Sequence, residues 1–400
     1  MLQCECEQTS VITGDQALSH NNTAFHQLLK PLSRHDFEGL AKTHHYGQKL
    51  RTASRWDQFI GMSMSQLSGR QSLRDIESNL QAQRSKLYHL GAKPLAKTTL
   101  ARLNEKQPFE LYQSLFYKLL NRFKSPSTKH KFKFKNPLYS LDASLIDLSI
   151  NIFPWALYNR DKSAFKLHVG LNHSNMIPEF VAVTEGKVPD VTQGKQFTFP
   201  KGSIVAFDKG YVDYSWYKSL TDKGVFFVTR LRPNSVYKVI ERKDVHNQQG
   251  VSSDQIIQLN SAHAIKRGVP QLRRVGFKDK ETGQRYVFLT NNFKLAATTI
   301  AAIYKDRWQV ELFFKAIKQN LKIKTFVGTS KNAILTQIWV AMITYLLLAF
   351  ARHSAKTGWT VQRIMRVIQL NLFERRGLKE IFNPDPPRHK KSEPQMRFAL

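Results

Sequence analysis

The stretch AATTIAAIYKDRWQVELFFKAIKQN, residues 296–320, decides how this chain is interpreted. It holds good helix formers and neither Gly nor Pro, so it predicts one continuous helix. At about 100° per residue, Tyr304, Arg307, Glu311 and Lys318 fall within an arc of about 60° on that helix. A carboxylate flanked by two cations and a phenol on a rigid helix suits a site for phosphate and metal.

The same helix carries a second, apolar face that would anchor it in a core. That face consists of Ile303, Val310, Phe314 and Ile317. Lys315 also falls near the polar face and is a further phosphate-contact candidate, whereas Trp308 faces elsewhere and is expected in the core. The polar face has a simpler interpretation as a surface stripe, because Arg307 and Glu311 form an i,i+4 pair.

The composition points to a polyanionic partner. The chain has 400 residues, 61 Lys and Arg against 30 Asp and Glu, and a formal net charge of +31. The positive charge is spread along the whole length, which favours nucleic acid over a membrane surface. The two cysteines, Cys4 and Cys6, form no disulfide framework, so a reducing cytoplasm is expected. The polar start of the chain is not typical of a signal peptide.

One segment, residues 333–351, is long and apolar enough to cross a membrane. It carries Thr336, Gln337 and Thr344 and stands alone in the chain. We therefore expect a buried core helix, with no membrane partner.

The first third of the chain predicts a helical domain. Residues 1–23 are polar and without period, so they are expected to be disordered, and a helical pattern covers 24–122. Two short helices around Gly91 resemble a helix-turn-helix in spacing, with the second helix as a reader of DNA. Its exposed polar face is expected to hold Lys97, Thr98, Thr99, Arg102 and Asn104. Any all-helical domain contains such helix pairs.

The remainder of the chain predicts a mixed sheet with helical cover. Residues 123–137 form a basic linker, and the sheet domain extends over 138–375. Three meandering strands precede a strand–helix–strand unit. Short basic strands then form an insertion at about 232–285. The end of the chain, 376–400, is expected to be a basic tail, and its Pro-rich part, 383–395, is expected to be disordered.

Two acids outside the helix stand where a reaction could use them. Asp142 lies inside the first strand, between Leu141 and Ala143, and Asp208 follows the short apolar strand SIVAF. An acid inside a strand is unfavourable unless it is paired or binds a metal. With Glu311 these acids give three carboxylates, which can hold two hard cations such as Mg²⁺ and support displacement at phosphorus.

The chain resembles a known family, the insertion-sequence transposases of the DDE type (insertion sequence family four). Their signature Y-x2-R-x3-E-x6-K is matched by Tyr304, Arg307, Glu311 and Lys318. The contexts of the first two acids, SLDASLIDL and VAFDKGYVDY, are also similar to that family. The resemblance covers about residues 137–350.

The resemblance implies a ribonuclease-H-like fold, α/β (α+β), with a β-rich insertion. It implies a DNA transposase that binds terminal inverted repeats, cuts DNA and joins the 3′ ends to target DNA through a hairpin intermediate. Asp142, Asp208 and Glu311 would bind two Mg²⁺ ions, with Mn²⁺ able to substitute. Tyr304, Arg307 and Lys318 would grip phosphates. Relatives stack a flipped base on a Trp of the insertion.

Residues 225–292 contain no Trp, so either Tyr237, Tyr286 or Phe288 replaces it or the hairpin step differs in this chain. The resemblance also implies double-stranded DNA as partner and a homodimer that pairs two DNA ends, in the bacterial cytoplasm at the nucleoid. Two other functions remain open from the residues. One is a metal-dependent nuclease that does not join strands, and the other is a catalytically silent DNA-binding regulator derived from a transposase.

Overall fold

The computed structural model describes residues 22–69, 72–123, 130–149, 153–159, 162–245, 250–321 and 326–384. Cys4 and Cys6 lie outside these ranges, as do most of the expected disordered N-terminus and most of the expected tail. Within the described residues, the helical first third is followed by a sheet and by a second set of helices.

Seven α-helices form the N-terminal region of the described chain, and a side-chain cap begins each of the first four. Ser33, Ser54 and Ser72 each accept a hydrogen bond from the third residue of the helix that follows. The helices are α1 (Ala24–Leu29), α2 (Arg34–Thr43), α3 (Arg55–Ser68), α4 (Leu73–Ala82), α5 (Arg84–Leu87), α6 (Lys97–Lys106) and α7 (Glu110–Phe123).

The sheet begins after Pro137 and contains ten strands among the described residues. The strands are β1 (Leu138–Leu148), β2 (Leu157–Asn159), β3 (Lys162–Asn172), β4 (Ile177–Glu185), β5 (Ile204–Phe207), β6 (Phe226–Arg230), β7 (Tyr237–Lys243), β8 (Val251–Leu259), β9 (Leu272–Lys278) and β10 (Arg285–Thr290). The remaining helices are α8 (Asp190–Gly194), α9 (Tyr214–Asp222), α10 (Ala262–Lys266), α11 (Ala297–Asp306), α12 (Trp308–Asn320), α13 (Lys331–Ser354), α14 (Val361–Asn371) and α15 (Leu378–Phe382).

The strand order confirms the ribonuclease-H-like fold. β4, β3, β1, β5 and β6 lie side by side, with antiparallel pairing of β4 to β3 and β3 to β1 and parallel pairing of β1 to β5 and β5 to β6. The insertion strands continue the same sheet, because β10 pairs antiparallel with β6 and β9, β8 and β7 follow outward.

The long apolar helix α13 lies in the core of the protein. It is long and apolar enough to cross a membrane, yet 94% of its most apolar window is buried inside the fold. Its residues share one hydrophobic cluster with the N-terminal helices and with α12 and α14. The expectation of a buried core helix is confirmed, and the N-terminal helices share this core.

Two expectations about exposed segments were wrong. Leu378–Phe382, placed in the tail, form α15, in which Phe382 is fully buried, and Asn383 directly after it donates to the Ala355 carbonyl (3.0 Å). Asn104, expected on an exposed face, is buried and accepts a hydrogen bond from Gln58 Nε2 (2.7 Å). Both errors arise because the partners are distant in sequence.

Candidate active site

The first two acids lie next to each other on paired strands, Asp142 within β1 and Asp208 directly after β5. Leu141 of β1 pairs with Phe207 of β5 in parallel register, so Asp142 and Asp208 are the next residues along each strand. Neighbouring strands are about 4.8 Å apart, which brings the two acids to one edge of the sheet. The Asp208 carboxylate accepts a hydrogen bond from the Gly210 N–H (2.8 Å) and caps the short turn that follows β5.

The segment that carries the third acid is divided, contrary to the expected single helix. α11 ends at Asp306 and α12 begins at Trp308. Around the break the Arg307 N–H donates to the Tyr304 carbonyl (3.2 Å), and the Val310 N–H donates to the Arg307 carbonyl (3.0 Å). These i to i+3 bonds tighten the turn relative to an α-helix. Trp308, expected in the core, is 58% exposed.

The apolar face of this segment is placed as expected. Its four members are buried: Ile303, Val310, Phe314 and Ile317. They pack the segment against the sheet and α13, so the polar face is turned toward the sheet edge.

Arg307 joins two of the three acids. Its Nη1 donates to Asp142 Oδ2 (3.0 Å) and its Nη2 donates to Glu311 Oε1 (2.8 Å). The Arg307 guanidinium also lies 5.6 Å from the centre of the Tyr304 ring. The buried Arg307 Nε–H has no hydrogen-bond partner among the described residues. A buried unsatisfied donor is costly and marks a place where an acceptor is missing.

The charges of the other two acids affect the pKa of Asp142. Burial raises the pKa of Asp142 to about 6; Arg307 and the Ala143 N–H oppose this rise, and the charges of Asp208 and Glu311 add to it. Burial likewise raises the pKa of Tyr304, with Arg307 opposing and Asp208 adding. Asp142 therefore feels both other acids, and perturbed carboxyls in a cleft are typical of functional sites.

A buried relay lies behind Arg307 and was missed from the sequence. Ser140 Oγ lies 2.6 Å from His173 Nε2, and His173 Nδ1 lies 2.8 Å from Asp306 Oδ2. Lys131 Nζ donates to the other Asp306 oxygen (2.6 Å). The relay links the strand two residues before Asp142 to the helix residue before Arg307. The only local signal for this relay was Asp306, an acid inside an otherwise helical pattern.

The chemistry of the donors fits a hard divalent cation, but their present arrangement does not. Carboxylate oxygens are the ligands that Mg²⁺ prefers. In the described part of the chain, however, no group of three or more His, Cys, Asp or Glu side chains is placed to hold a metal ion. A guanidinium occupies the position between Asp142 and Glu311 instead.

The other predicted phosphate and DNA contacts lie farther away. Lys315 is exposed and Lys318 half-buried on α12, about one and two turns beyond Glu311. In the N-terminal region, Thr98 and Arg102 are exposed on α6, and Lys97 and Thr99 are half-buried. The α6 group is not in contact with the acids in any described hydrogen bond or ion pair.

A cavity of about 770 Å³ opens beside Arg307, between α11 and the insertion strands. Its lining includes Tyr286, Phe288, Tyr304, Arg230 and Trp308. The Tyr286 and Phe288 rings are stacked at 5.9 Å, Phe288 lies 5.0 Å from Tyr304, and the Arg230 guanidinium lies 5.1 Å from the Tyr286 ring. Tyr237, on β7, is not part of this lining. Its ring lies near the guanidinium of Arg274, on β9.

Comparison with known protein families gives two matches. Residues 134–347 match the family described as a transposase DDE domain, which is more than half of the chain. Residues 20–93 match a domain of unknown function (DUF4372).

Two relatives, compared by sequence, agree with the first match. The chain is 32% identical over 318 residues to a protein named as transposase y4zB of Sinorhizobium fredii (strain NBRC 101917 / NGR234), covering 77% of this chain and 86% of the relative. It is 28% identical over 263 residues, 65% of this chain and 68% of the relative, to a protein named as the transposase for insertion sequence element IS5377 of Geobacillus stearothermophilus. A piggyBac transposase in a synaptic complex with hairpin DNA matches 90% of this chain and 80% of that chain, with a TM-score of 0.48 and 10% identity.

Proposed function

This chain belongs to the DDE transposase family, and we propose that it cuts the ends of a mobile element and joins their 3′ ends to target DNA. The family consists of enzymes that bind, cleave and transfer DNA, and its members use divalent metal ions. The cut-and-paste route, with a hairpin intermediate at the terminal inverted repeats, is part of the proposal.

One observation carries the proposal. Asp142 within β1 lies beside Asp208 at the end of β5, and Arg307 ties Asp142 to Glu311 from the facing helix. Three acids that are far apart in sequence therefore gather at one edge of the sheet on a strongly basic protein. Such an acidic cluster would repel DNA unless a cation offset its charge.

We assign the roles as follows. Asp142, Asp208 and Glu311 would hold two Mg²⁺ ions, for which Mn²⁺ could substitute. Such ions would supply positive charge that activates an attacking water and stabilises the leaving oxygen of an in-line displacement. Tyr304, Arg307, Lys318 and Lys315 hold the DNA phosphates, as point charges or through charge-assisted hydrogen bonds.

The aromatic cavity is proposed to receive an unstacked base during the hairpin step. Tyr286 and Phe288 supply ring faces, and Arg230 and Trp308 extend the lining. Aromatic stacking on a base contributes about 1–3 kcal/mol. Tyr286→Ala should therefore slow hairpin formation more than first-strand nicking, measured on denaturing gels. Equal slowing of both steps would contradict this assignment.

The remaining assignments concern partners and location. Lys97, Thr98, Thr99 and Arg102 on α6 are proposed to contact the terminal repeat. A homodimer is proposed because two DNA ends must be held together, and the place of action is the bacterial cytoplasm at the nucleoid.

The proposal is tested by a cleavage and joining assay on duplex DNA taken from the inverted repeats that flank the reading frame. With Mg²⁺, the wild-type protein should nick the repeat and transfer its 3′ end into a plasmid, and EDTA should abolish both steps. Glu311→Gln should retain duplex binding and lose cleavage by about 10³-fold or more, since it removes one ligand charge with little change in volume.

Asp222→Asn serves as the matched control, because Asp222 is an exposed acid paired with Lys218 away from the sheet edge. Cleavage without joining by the wild-type protein would identify a nuclease instead. Binding without any cleavage would identify a silent regulator.

A further inference from the structure

Resting on the proposed metal site, we propose that Arg307 determines when that site can bind a divalent cation. In the DNA-free protein the guanidinium takes the place of the cation between Asp142 and Glu311, and a DNA phosphate draws it away. Arg307 thus makes metal binding conditional on DNA.

The contacts place the Arg307 guanidinium between Asp142 and Glu311, where a cation shared by these two acids would lie. The guanidinium contacts Asp142 at 3.0 Å and Glu311 at 2.8 Å, with a side chain that is only 14% exposed. One oxygen of each of these carboxylates accepts a hydrogen bond from the guanidinium. A divalent cation that bound both carboxylates would lie against the positive charge of Arg307 for as long as the guanidinium stays there, and the two cations would repel each other strongly even at an effective dielectric of 20.

The arrangement leaves Arg307 incompletely satisfied. Its Nε–H is buried without a partner among the described residues. A phosphate offers several acceptor oxygens and matches the guanidinium fork. DNA binding would therefore supply the missing acceptor and release the two carboxylates at the same time.

The surroundings allow the side chain to turn without movement of the helix. The cavity beside Arg307 gives it room, and Tyr304 offers a ring face 5.6 Å from the guanidinium. The backbone at the helix break is held separately, because Asp306 is paired with His173 and Lys131. The side chain, and not the segment, is the part free to respond.

The consequence is a positive coupling between DNA and metal. Coupling of this kind is reciprocal, so whatever factor DNA adds to metal affinity, the metal adds to DNA affinity. A protein with a net charge of +31 encounters DNA frequently in a cell. A site that has not bound its metal does not nick DNA during such encounters.

The test measures Mn²⁺ binding to the full-length, DNA-free protein. Binding is monitored through the loss of the free Mn²⁺ signal in electron paramagnetic resonance. Arg307→Gln should bind Mn²⁺ about tenfold more tightly than wild type, and Arg307→Lys, which can contact only one carboxylate closely, should fall between them. The Lys variant keeps the charge and most of the packing, so it remains informative if the Gln variant does not fold.

Arg122→Gln is the control, because Arg122 is also paired with an acid, Asp36, but on a distant helix. It should match wild type within about twofold. The proposal is overturned if neither Arg307 variant gains affinity, or if Arg122→Gln gains as much, which would mean a general charge effect.

Failure of the proposed function gives a different result. The double variant Arg307→Gln, Glu311→Gln should lose the affinity that the single variant gained. If Glu311→Gln never alters Mn²⁺ binding, the carboxylates are not the metal site, and both proposals fall. If Glu311→Gln weakens binding but Arg307 variants gain nothing, only the role of Arg307 falls.

Discussion

At the residue scale, the site depends on contacts that local sequence shows only in part. The pairing of Arg307 with Glu311 could be predicted from their i,i+4 spacing, and it is present. The pairing of Arg307 with Asp142 could not, because it joins residues 165 positions apart. The assignment of Asp142, Asp208 and Glu311 as metal ligands stays a prediction.

The raised pKa of Asp142 makes a prediction about stability and pH. Burial raises this pKa from 3.8 to about 6. Between about pH 4 and pH 6 the folded chain therefore holds a proton that the unfolded chain has lost, so rising pH in that window destabilises the fold through this group. Asp142→Asn removes the effect and should gain stability relative to wild type as pH rises, levelling off above pH 6 at no more than about 3 kcal/mol.

Urea denaturation of the metal-free protein at several pH values measures this difference. Asp222→Asn, an exposed acid, should differ from wild type by a constant small amount across the same window. A free-energy difference for Asp142→Asn that stays flat between pH 4 and pH 6 would contradict the raised pKa.

At the element scale, the sequence predicts the strands well and the helix break poorly. Apolar runs such as SIVAF form strands because they are buried on both faces, and these local patterns suffice to find β1, β3, β4, β5 and β6. The break at Arg307 leaves no local mark, since residues 296–320 are good helix formers throughout. It coincides with contacts of Asp306 to His173 and Lys131 and of Arg307 to Asp142, all distant in sequence, and Trp308 directly after it is exposed.

The relay behind the break is predicted to stabilise it. Asp306 is only 6% exposed and is paired with both His173 and Lys131, which together hold its pKa below the usual value although burial opposes them. Asp306→Asn keeps the volume but removes the buried carboxylate that contacts His173 Nδ1 and Lys131 Nζ. We expect the free energy of unfolding in urea to fall by about 3 kcal/mol at pH 7.

The comparison for Asp306 is again an exposed pair. Asp222→Asn, which loses an i,i+4 contact with Lys218, should cost about 0.5 kcal/mol or less. Losses of equal size in both variants would mean that the relay adds nothing beyond a surface ion pair.

At the scale of the whole molecule, the class of partner could be predicted from the net charge, but the shared core could not be predicted from the sequence. The charge of +31 predicts a polyanionic partner directly, and the family assignment agrees. The packing of the N-terminal helices on α13 could not be predicted, because an apolar helix does not record which neighbours cover it. This packing joins the first third of the chain to the helices behind the sheet.

The charge of the molecule makes DNA affinity strongly dependent on salt. Each phosphate contact contributes about −0.9 to the slope of log affinity against log salt concentration. Lys318→Ala should weaken binding to the terminal repeat and reduce the magnitude of that slope by about 0.9, measured by fluorescence anisotropy between low and physiological salt. Lys118→Ala, whose ammonium is paired with Asp36, should leave the slope nearly unchanged. An unaltered slope for Lys318→Ala would remove it from the phosphate contacts.

The central claim is that three acids, 66 and 103 residues apart along the chain, share one metal site. Iron-mediated backbone cleavage tests it most directly: Fe²⁺ replaces Mg²⁺ in the complex with terminal-repeat DNA, and hydroxyl radicals cut the protein next to the ion. The account predicts cuts near residues 142, 208 and 311 together, all of them lost in Glu311→Gln. Cuts confined to one of these segments, or cuts at all three that persist in Glu311→Gln, would contradict it.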